Sequence, residues 1–178
     1  MDSVLYILDK IGRYGRQILF FLSVFILYKS EKSVALAFYI FGVSISILIN
    51  IILKIIIKEP RPLEDTPDFN FLVQSNKRVS YDKFGMPSGH TQFAFFTLAF
   101  MSYALWSHKH YVSIMSFYAL ITVTIVSQRI IGRNHTITQV IAGAFAGTLI
   151  GLGFVHLAKS KIIGKIRQKE DDNAVFIA

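Results

Sequence analysis

VALAFYIFGVSISILINIILKIII, residues 34–57, is the stretch on which the fold class turns. These 24 residues carry one charge, Lys54, close to their end. About 20 consecutive apolar residues in a helix span the hydrocarbon core of a bilayer, and a soluble core helix is seldom so long or so uniformly apolar. The stretch therefore predicts a transmembrane helix. Working outward, Lys29-Ser30-Glu31-Lys32 forms a polar turn before it, and Gln17 to Tyr28 is apolar apart from Ser23. Extended back to Tyr14, that segment makes a marginal span. Asp2 to Gly15 sets Val4, Leu5, Ile7, Leu8 and Ile11 at helical spacing against Asp9, Lys10 and Arg13, the pattern of an amphipathic helix lying in the membrane interface.

On the other side, Lys58 to Met86 is polar, with three prolines and five acids. A connection of this length is functional or disordered more often than structural. Apolar character returns over His90 to Trp106, Tyr111 to Ser127 and Ile137 to Ala158, separated by the short turn Ser107 to His110 and by Gln128 to Thr136. The expected fold is an all-α polytopic membrane bundle of about five transmembrane helices plus an N-terminal interfacial helix. Residues 1–16 form that interfacial helix, 17–158 the membrane domain, and 159–178 a polar tail. The active loops of the membrane domain are 54–90 and 128–139. No basic leader precedes an apolar run, so no cleavable signal peptide is expected.

The whole-chain figures agree: 178 residues, 53% hydrophobic, 17% charged, with 16 Phe and a mean hydropathy of +0.49. Soluble domains run to about 25% charged residues. Disordered chains, coiled coils and ordinary nucleic-acid-binding domains are excluded as classes, and nucleic acid is not an expected partner despite the net charge of +8. With no cysteine there is neither disulfide nor thiolate chemistry. Both long connections and the N-terminus fall on one membrane face, which holds 11 of the 19 lysines and arginines against 8 on the other. Charge bias thus says little about orientation. Gly143, Gly147 and Gly151 recur every fourth residue, a stripe suited to close helix packing within the chain, with a homodimer seam as the alternative use.

Three polar clusters stand on the face with the long loops: Lys54 with Arg61-Pro62, Pro87-Ser88-Gly89-His90, and Arg129 with His135. Charges at the edge of apolar spans are costly and point to function. Lys54, Arg61 and Arg129 supply three cations, and a guanidinium grips phosphate with two parallel hydrogen bonds. Ser88 and Gly89 precede a helix that starts near His90. Its unpaired N–H groups and positive dipole end suit an anion, and Gly89 lets a ligand approach the backbone. One histidine can attack phosphorus as neutral imidazole while the other, protonated, donates to the leaving oxygen. The acids of the long loop show no metal-ligand spacing. Neither a metal nor a cofactor is expected. Asn134-His135-Thr136 matches a glycosylation acceptor, yet lies too near the membrane for modification. His108, His110 and His156 read as interfacial or packing residues.

The pattern Lys54-x6-Arg61-Pro62, Pro87-Ser88-Gly89-His90 and Arg129-x5-His135 resembles the type-2 phosphatidic acid phosphatase superfamily, which also contains the vanadium haloperoxidases. The resemblance covers residues 54–139. It implies His135 as the nucleophile that forms a phosphohistidine and His90 as the general acid. It implies Lys54, Arg61, Ser88, Gly89 and Arg129 as the phosphate cage, with no metal. Two positions depart from the pattern. Gln128 stands where the superfamily usually has Ser, and Gln139 where it usually has the Asp that orients the nucleophile. A closer resemblance, over Gly85-Met86-Pro87-Ser88-Gly89-His90-Thr91-Gln92-Phe93 and His135 to Val140, is to the dolichyldiphosphatase branch, which has Gln at the position of Gln139. Gly89 stands where that branch usually has Ser.

The branch implies a polyprenyl diphosphate as substrate and membrane lipids as surroundings; Lys58 and Arg133 would suit the larger charge of a diphosphate, with an interfacial anchor as the other reading of each. It implies the endoplasmic reticulum for a eukaryotic or viral protein and the plasma membrane for a bacterial one. Gln139 can fix the imidazole tautomer through its carbonyl but cannot supply the charge of a carboxylate. Phosphatidate or another lipid monophosphate is the alternative substrate. A soluble haloperoxidase fits poorly with five apolar spans, and a non-catalytic lipid-binding role fits poorly with intact phosphate-handling positions.

Overall fold

The computed structural model describes residues 3–62 and 81–159. These form five helices: α1 (Ser3–Lys29), α2 (Ser33–Ile57), α3 (Gly89–Ala104), α4 (Tyr111–Ile131) and α5 (Ile137–Lys159). Residues 63–80 of the long connection and the tail beyond 159 lie outside the described residues. The chain is an all-helical membrane bundle. Helices α2, α4 and α5 are each long and apolar enough to cross a membrane. Helix α3, at 16 residues, is about 24 Å long.

The bundle turns its apolar surface outward. Phe21, Phe25, Phe41, Ile56, Leu120, Ile141 and Phe145 are all exposed, as expected where lipid, not water, surrounds the helices. Polar groups face inward. On α2 the buried stripe runs Ala35, Tyr39, Gly42, Val43, Ser46, Asn50, Lys54, apolar at one end and polar at the other. That gradient divides the interior. At the end with the short turns, Tyr39 stacks on Phe96 (ring centroids 5.9 Å apart), which stacks on Phe100 (6.1 Å). At the other end, a buried polar ladder replaces rings: Asn50 Nδ2 donates to Gln92 Oε1 (2.8 Å), and Gln92 Nε2 to the Ser46 carbonyl (2.7 Å).

Two arrangements differ from the sequence-based expectation or settle it. Residues 3–16 do not form a helix separate from the one that follows. They run without a break into the segment begun at Gln17, as one helix of 27 residues. Gly12 and Gly15 seat this helix on α4. A Cβ on Gly12 would press on the side chain of Gln128, and one on Gly15 would lie 2.5 Å from Ile125 Cγ1. The absence of side chains there lets α1 lie directly on α4, and Asp9, Arg13 and Arg16 come to the polar end of the bundle. The Gly143/Gly147/Gly151 stripe, for its part, is occupied within the chain. Added Cβ atoms would meet the backbone of α3 at Ser88, Gln92 and Phe96. That face is therefore filled by α3 and is not open as a seam to a second copy.

Candidate active site

The polar end of the bundle is assembled from four chain segments. Helix α2 stops at Lys58, which is left-handed (φ 55°) and returns its N–H to the Lys54 carbonyl. Pro60 cannot continue the helix. The two ends of the long connection are then pinned together by a Pro60–Phe84 bridge and by the Gly85 N–H on the Glu59 carbonyl (2.8 Å). The Met86–Pro87 peptide is cis. Helix α3 starts at Gly89 with no side-chain cap on its first N–H groups. At the end of α4, the N–H groups of Asn134 and His135 both return to the Arg129 carbonyl (3.1 Å each), which sets His135 beside the long connection. The Ser88 N–H on the Gln139 carbonyl (3.0 Å) ties the start of α3 to the start of α5.

A cavity of about 350 Å³ opens among these segments. Lys54, Arg61, Gly89, His90 and His135 line it, all of them expected site residues. Lys54 is 4% exposed, and its ammonium donates to the Phe84 carbonyl. Arg61 reaches across the site. Its Nη2 pairs with Asp82 Oδ1 (2.8 Å), its Nε donates to the Asp82 carbonyl (3.1 Å), and its Nη1 donates to the Asn134 carbonyl (3.1 Å). The same Nη1 lies 3.3 Å from His135 Nε2. A guanidinium only donates, so Nε2 is the acceptor and the imidazole proton sits on Nδ1, which donates to Gln139 Oε1 at 3.1 Å. Burial first, then the charges of Arg61 and Lys54, push His135 well below the ordinary histidine value. Near neutral pH it is a neutral imidazole with its lone pair turned toward the cavity.

The other expected site residues stand behind the wall. Ser88 is fully buried and bonds Thr91 Oγ1 (3.0 Å). Arg129 is buried, with its Nε donating to Gln128 Oε1 (2.7 Å), and Gln128 Nε2 donates in turn to Asp9 Oδ1 (3.1 Å). Gln139 is completely buried beneath His135. Gly89 lines the cavity, and a Cβ there would also lie 3.1 Å from Asn50 Oδ1 of α2. Lys58 and Arg133 are exposed and do not line the cavity. The cation that does is Arg16 of α1. Reading residues 1–16 as interfacial hid it, and the signal that could have found it is a charged residue continuing a helical run into an apolar span. Asp82 and Glu59 were missed as well, because nothing in their spacing separates them from a solvated loop. Among the described residues no group of three His, Asp or Glu is placed to hold a metal ion.

The sequence model of the family described as PAP2 superfamily matches residues 35–163. A protein named dolichyldiphosphatase from Saccharomyces cerevisiae is 30% identical over 156 residues, covering 84% of this chain and 59% of that protein. A Schizosaccharomyces pombe protein named palmitoyl-protein thioesterase-dolichyl pyrophosphate phosphatase fusion 1 is 30% identical over 136 residues, 71% of this chain and 18% of that one. The chain thus spans less than two thirds of the length of these relatives. No solved structure is a significant match.

Proposed function

The chain belongs to the PAP2 superfamily, and from that premise we propose that it is an integral membrane lipid phosphatase that removes the terminal phosphate of a polyprenyl diphosphate through a phosphohistidine at His135, without a metal. The observation that carries this reading is the state of His135. It is a neutral imidazole, hydrogen on Nδ1, whose Nε2 faces a cavity shared with Lys54, Arg61, Arg16 and His90. A phosphate oxygen takes over the Arg61 N–H that Nε2 now accepts, and the lone pair is released toward phosphorus. The Nε2–P bond forms as the P–O bond of the anhydride breaks, and His90, protonated when the diphosphate brings its negative charge in among the surrounding cations, gives that proton to the leaving lipid phosphate. His90 then takes a proton from water as that water attacks the phosphohistidine, which frees inorganic phosphate and restores neutral His135. Cations already fixed around the developing charge supply much of the acceleration.

Two features support a lipid diphosphate. Ile47, Ile51 and Phe93 give the wall an apolar part beside Ser46, Asn50 and Gln92, and Ile47 is also 47% exposed. The apolar part of the wall thus adjoins an exposed residue of α2, which supports a tail that stays in the bilayer. Arg16 adds a cation beyond Lys54 and Arg61, which suits the larger charge of a diphosphate. The yeast relative's name carries the same substrate class. The test is phosphate release by purified protein from dolichyl diphosphate and phosphatidate in parallel, with EDTA, and with His135→Ala as control. Release from the diphosphate that EDTA leaves unchanged and His135→Ala abolishes is expected. Turnover by His135→Ala would remove the phosphohistidine, and preference for phosphatidate would overturn the substrate.

A further inference from the structure

Beneath His135 lies a side chain whose hydrogen-bonding capacity is completely used. Gln139 Oε1 accepts from His135 Nδ1 (3.1 Å) and from the Thr136 N–H (3.3 Å). Gln139 Nε2 donates to Glu59 Oε1 and to the Pro60 carbonyl, both at 2.8 Å. A carboxamide has two lone pairs and two hydrogens, and here all four are engaged. Half a turn about its last bond would set the amide oxygen against a carboxylate and a carbonyl, and the NH₂ against two donors. The acceptors on the Glu59–Pro60 side therefore dictate which end of the amide meets the imidazole. The surroundings leave it no room to move. A Cβ on Gly85 would lie 2.5 Å from both Cδ and Nε2 of Gln139, and the Gly85 N–H in turn holds the Glu59 carbonyl.

We propose that Glu59 is a positioning residue for His135: acting through the Gln139 amide, its carboxylate keeps the imidazole hydrogen on Nδ1 and the lone pair on Nε2, and supplies at one residue's remove the negative charge that steadies the ring as it is phosphorylated. This rests on His135 being the nucleophile. When Nε2 bonds to phosphorus, the ring keeps its Nδ1 hydrogen and becomes cationic. The dipole of the amide, oxygen toward the ring and hydrogens toward the carboxylate, is aligned to stabilise that cation, and Glu59 both fixes and polarises it. Gln139 alone could be oriented by neutral acceptors; the charge comes from Glu59. No proton leaves Nδ1 at any step, and Glu59 touches neither the substrate nor the reacting atoms.

The experiment measures kcat and KM for Glu59→Gln and Glu59→Ala on dolichyl diphosphate, beside His135→Ala, with ¹⁵N-histidine NMR of the full-length protein in detergent to read the His135 tautomer. Glu59→Gln keeps the shape and loses the charge; kcat is expected to fall about tenfold and further in Glu59→Ala, the scale of losing a hydrogen bond to a charged group. KM stays within about twofold, because the residue does not meet the substrate. With inorganic phosphate bound, so that the Arg61 N–H is drawn from Nε2 to a phosphate oxygen, the Nδ1–H form of His135 in Glu59→Ala gives way to a mixture of tautomers, which loss of stability alone would not produce. Gly85→Ala, which crowds the Gln139 amide while leaving the side chains of Glu59 and His135 in place, is expected to reproduce the kcat loss and the mixed tautomer, and tests the relay if the Glu59 variants do not fold. Wild-type kcat in both Glu59 variants, or an unchanged Nδ1–H signal in Glu59→Ala or in Gly85→Ala, overturns the proposal. Turnover by His135→Ala would instead overturn the reading on which it rests.

Discussion

Replacing Gly143 or Gly147 with alanine tests how the bundle holds its two histidines. A Cβ on Gly143 would stand 2.6 Å from the Ser88 carbonyl oxygen and 3.3 Å from the N–H nitrogens of Ser88 and Gln92. On Gly147 it would overlap the Gln92 carbonyl, with the Gln92 carbonyl carbon and the Phe96 nitrogen both at 2.9 Å. Every one of these atoms is backbone and cannot swing aside as a side-chain tip would. Relief requires α3 and α5 to separate by roughly 1 Å or more, to reach ordinary carbon contact distances. Helix α3 begins at Gly89-His90, while α5 is preceded by His135 and carries Gln139 in its first turn. The separation therefore falls between the two histidines. Over-packing of this kind destabilises by about 1–3 kcal/mol, and a misplacement of about 1 Å between reacting groups costs on the order of 100-fold in rate. Gly153 is the internal control, because a Cβ there meets nothing within 4 Å. The assay is phosphate release, with thermal unfolding in the same detergent. Gly143→Ala and Gly147→Ala are expected to lose about 100-fold in kcat while remaining folded, and Gly153→Ala neither activity nor stability. Wild-type kcat in Gly147→Ala would refute the claim that backbone contact between α3 and α5 sets the site.

Three further outcomes are expected. In Arg61→Gln the acid limb of kcat/KM should move to higher pH, because a neighbouring cation that holds His135 below the ordinary histidine value is gone; a pH–rate profile of wild type and variant checks the direction, and an unmoved limb would contradict it. Arg16→Ala should raise KM for the diphosphate more than for a lipid monophosphate, since Arg16 lines the cavity beside the cage; equal effects on both substrates would deny it a role in reading the second phosphate. Gln128→Ala removes the acceptor of Arg129 Nε (2.7 Å) and the link to Asp9, and should lower kcat/KM by about tenfold, which steady-state kinetics will show or deny.

The helices were legible in the sequence because lipid simplifies the pattern: a run such as residues 34–57 needs no partner to be recognised. The three polar motifs were legible as one cluster because charges at the ends of apolar spans stand out, and Lys54, Arg61 and His135 line one cavity from three separate segments. The division of α1 was not. Asp9, Lys10 and Arg13 look like the wet face of an interfacial helix until Gly12 and Gly15 are seen to seat that helix on α4. Asp9 is then tied to Gln128, and Arg16 on the same helix reaches the cavity. Glu59 was illegible for a similar reason: its partner, Gln139, lies 80 positions along the chain, and a glutamine gives no sign of which group its amide will bridge.

The two glutamines at the departing positions share one physical logic. A carboxylate set directly against a buried imidazole or guanidinium, at the level where the helices meet lipid, must shed its water, and that penalty can exceed the attraction gained. A neutral amide is far cheaper to bury when its polar atoms are paired. Gln139 has no exposure at all and Gln128 is also buried, whereas Glu59 is half-buried and Asp9 keeps 32% of its side chain accessible in its pair with Arg13. Each amide presents its oxygen to the group it holds, His135 in one case and Arg129 in the other, and its nitrogen to a carboxylate nearer water. Orientation is retained while the full charge stays where solvent can reach it. Placing that charge next to the ring reverses the bargain. Gln139→Asp would put a carboxylate into a dry site facing the Pro60 carbonyl and close to Glu59, two groups that now receive hydrogens from the amide. Although it recreates the residue usual at this position, the substitution is expected to lower kcat in this chain. A kcat equal to or above wild type would show that the carboxylate needs no such relay.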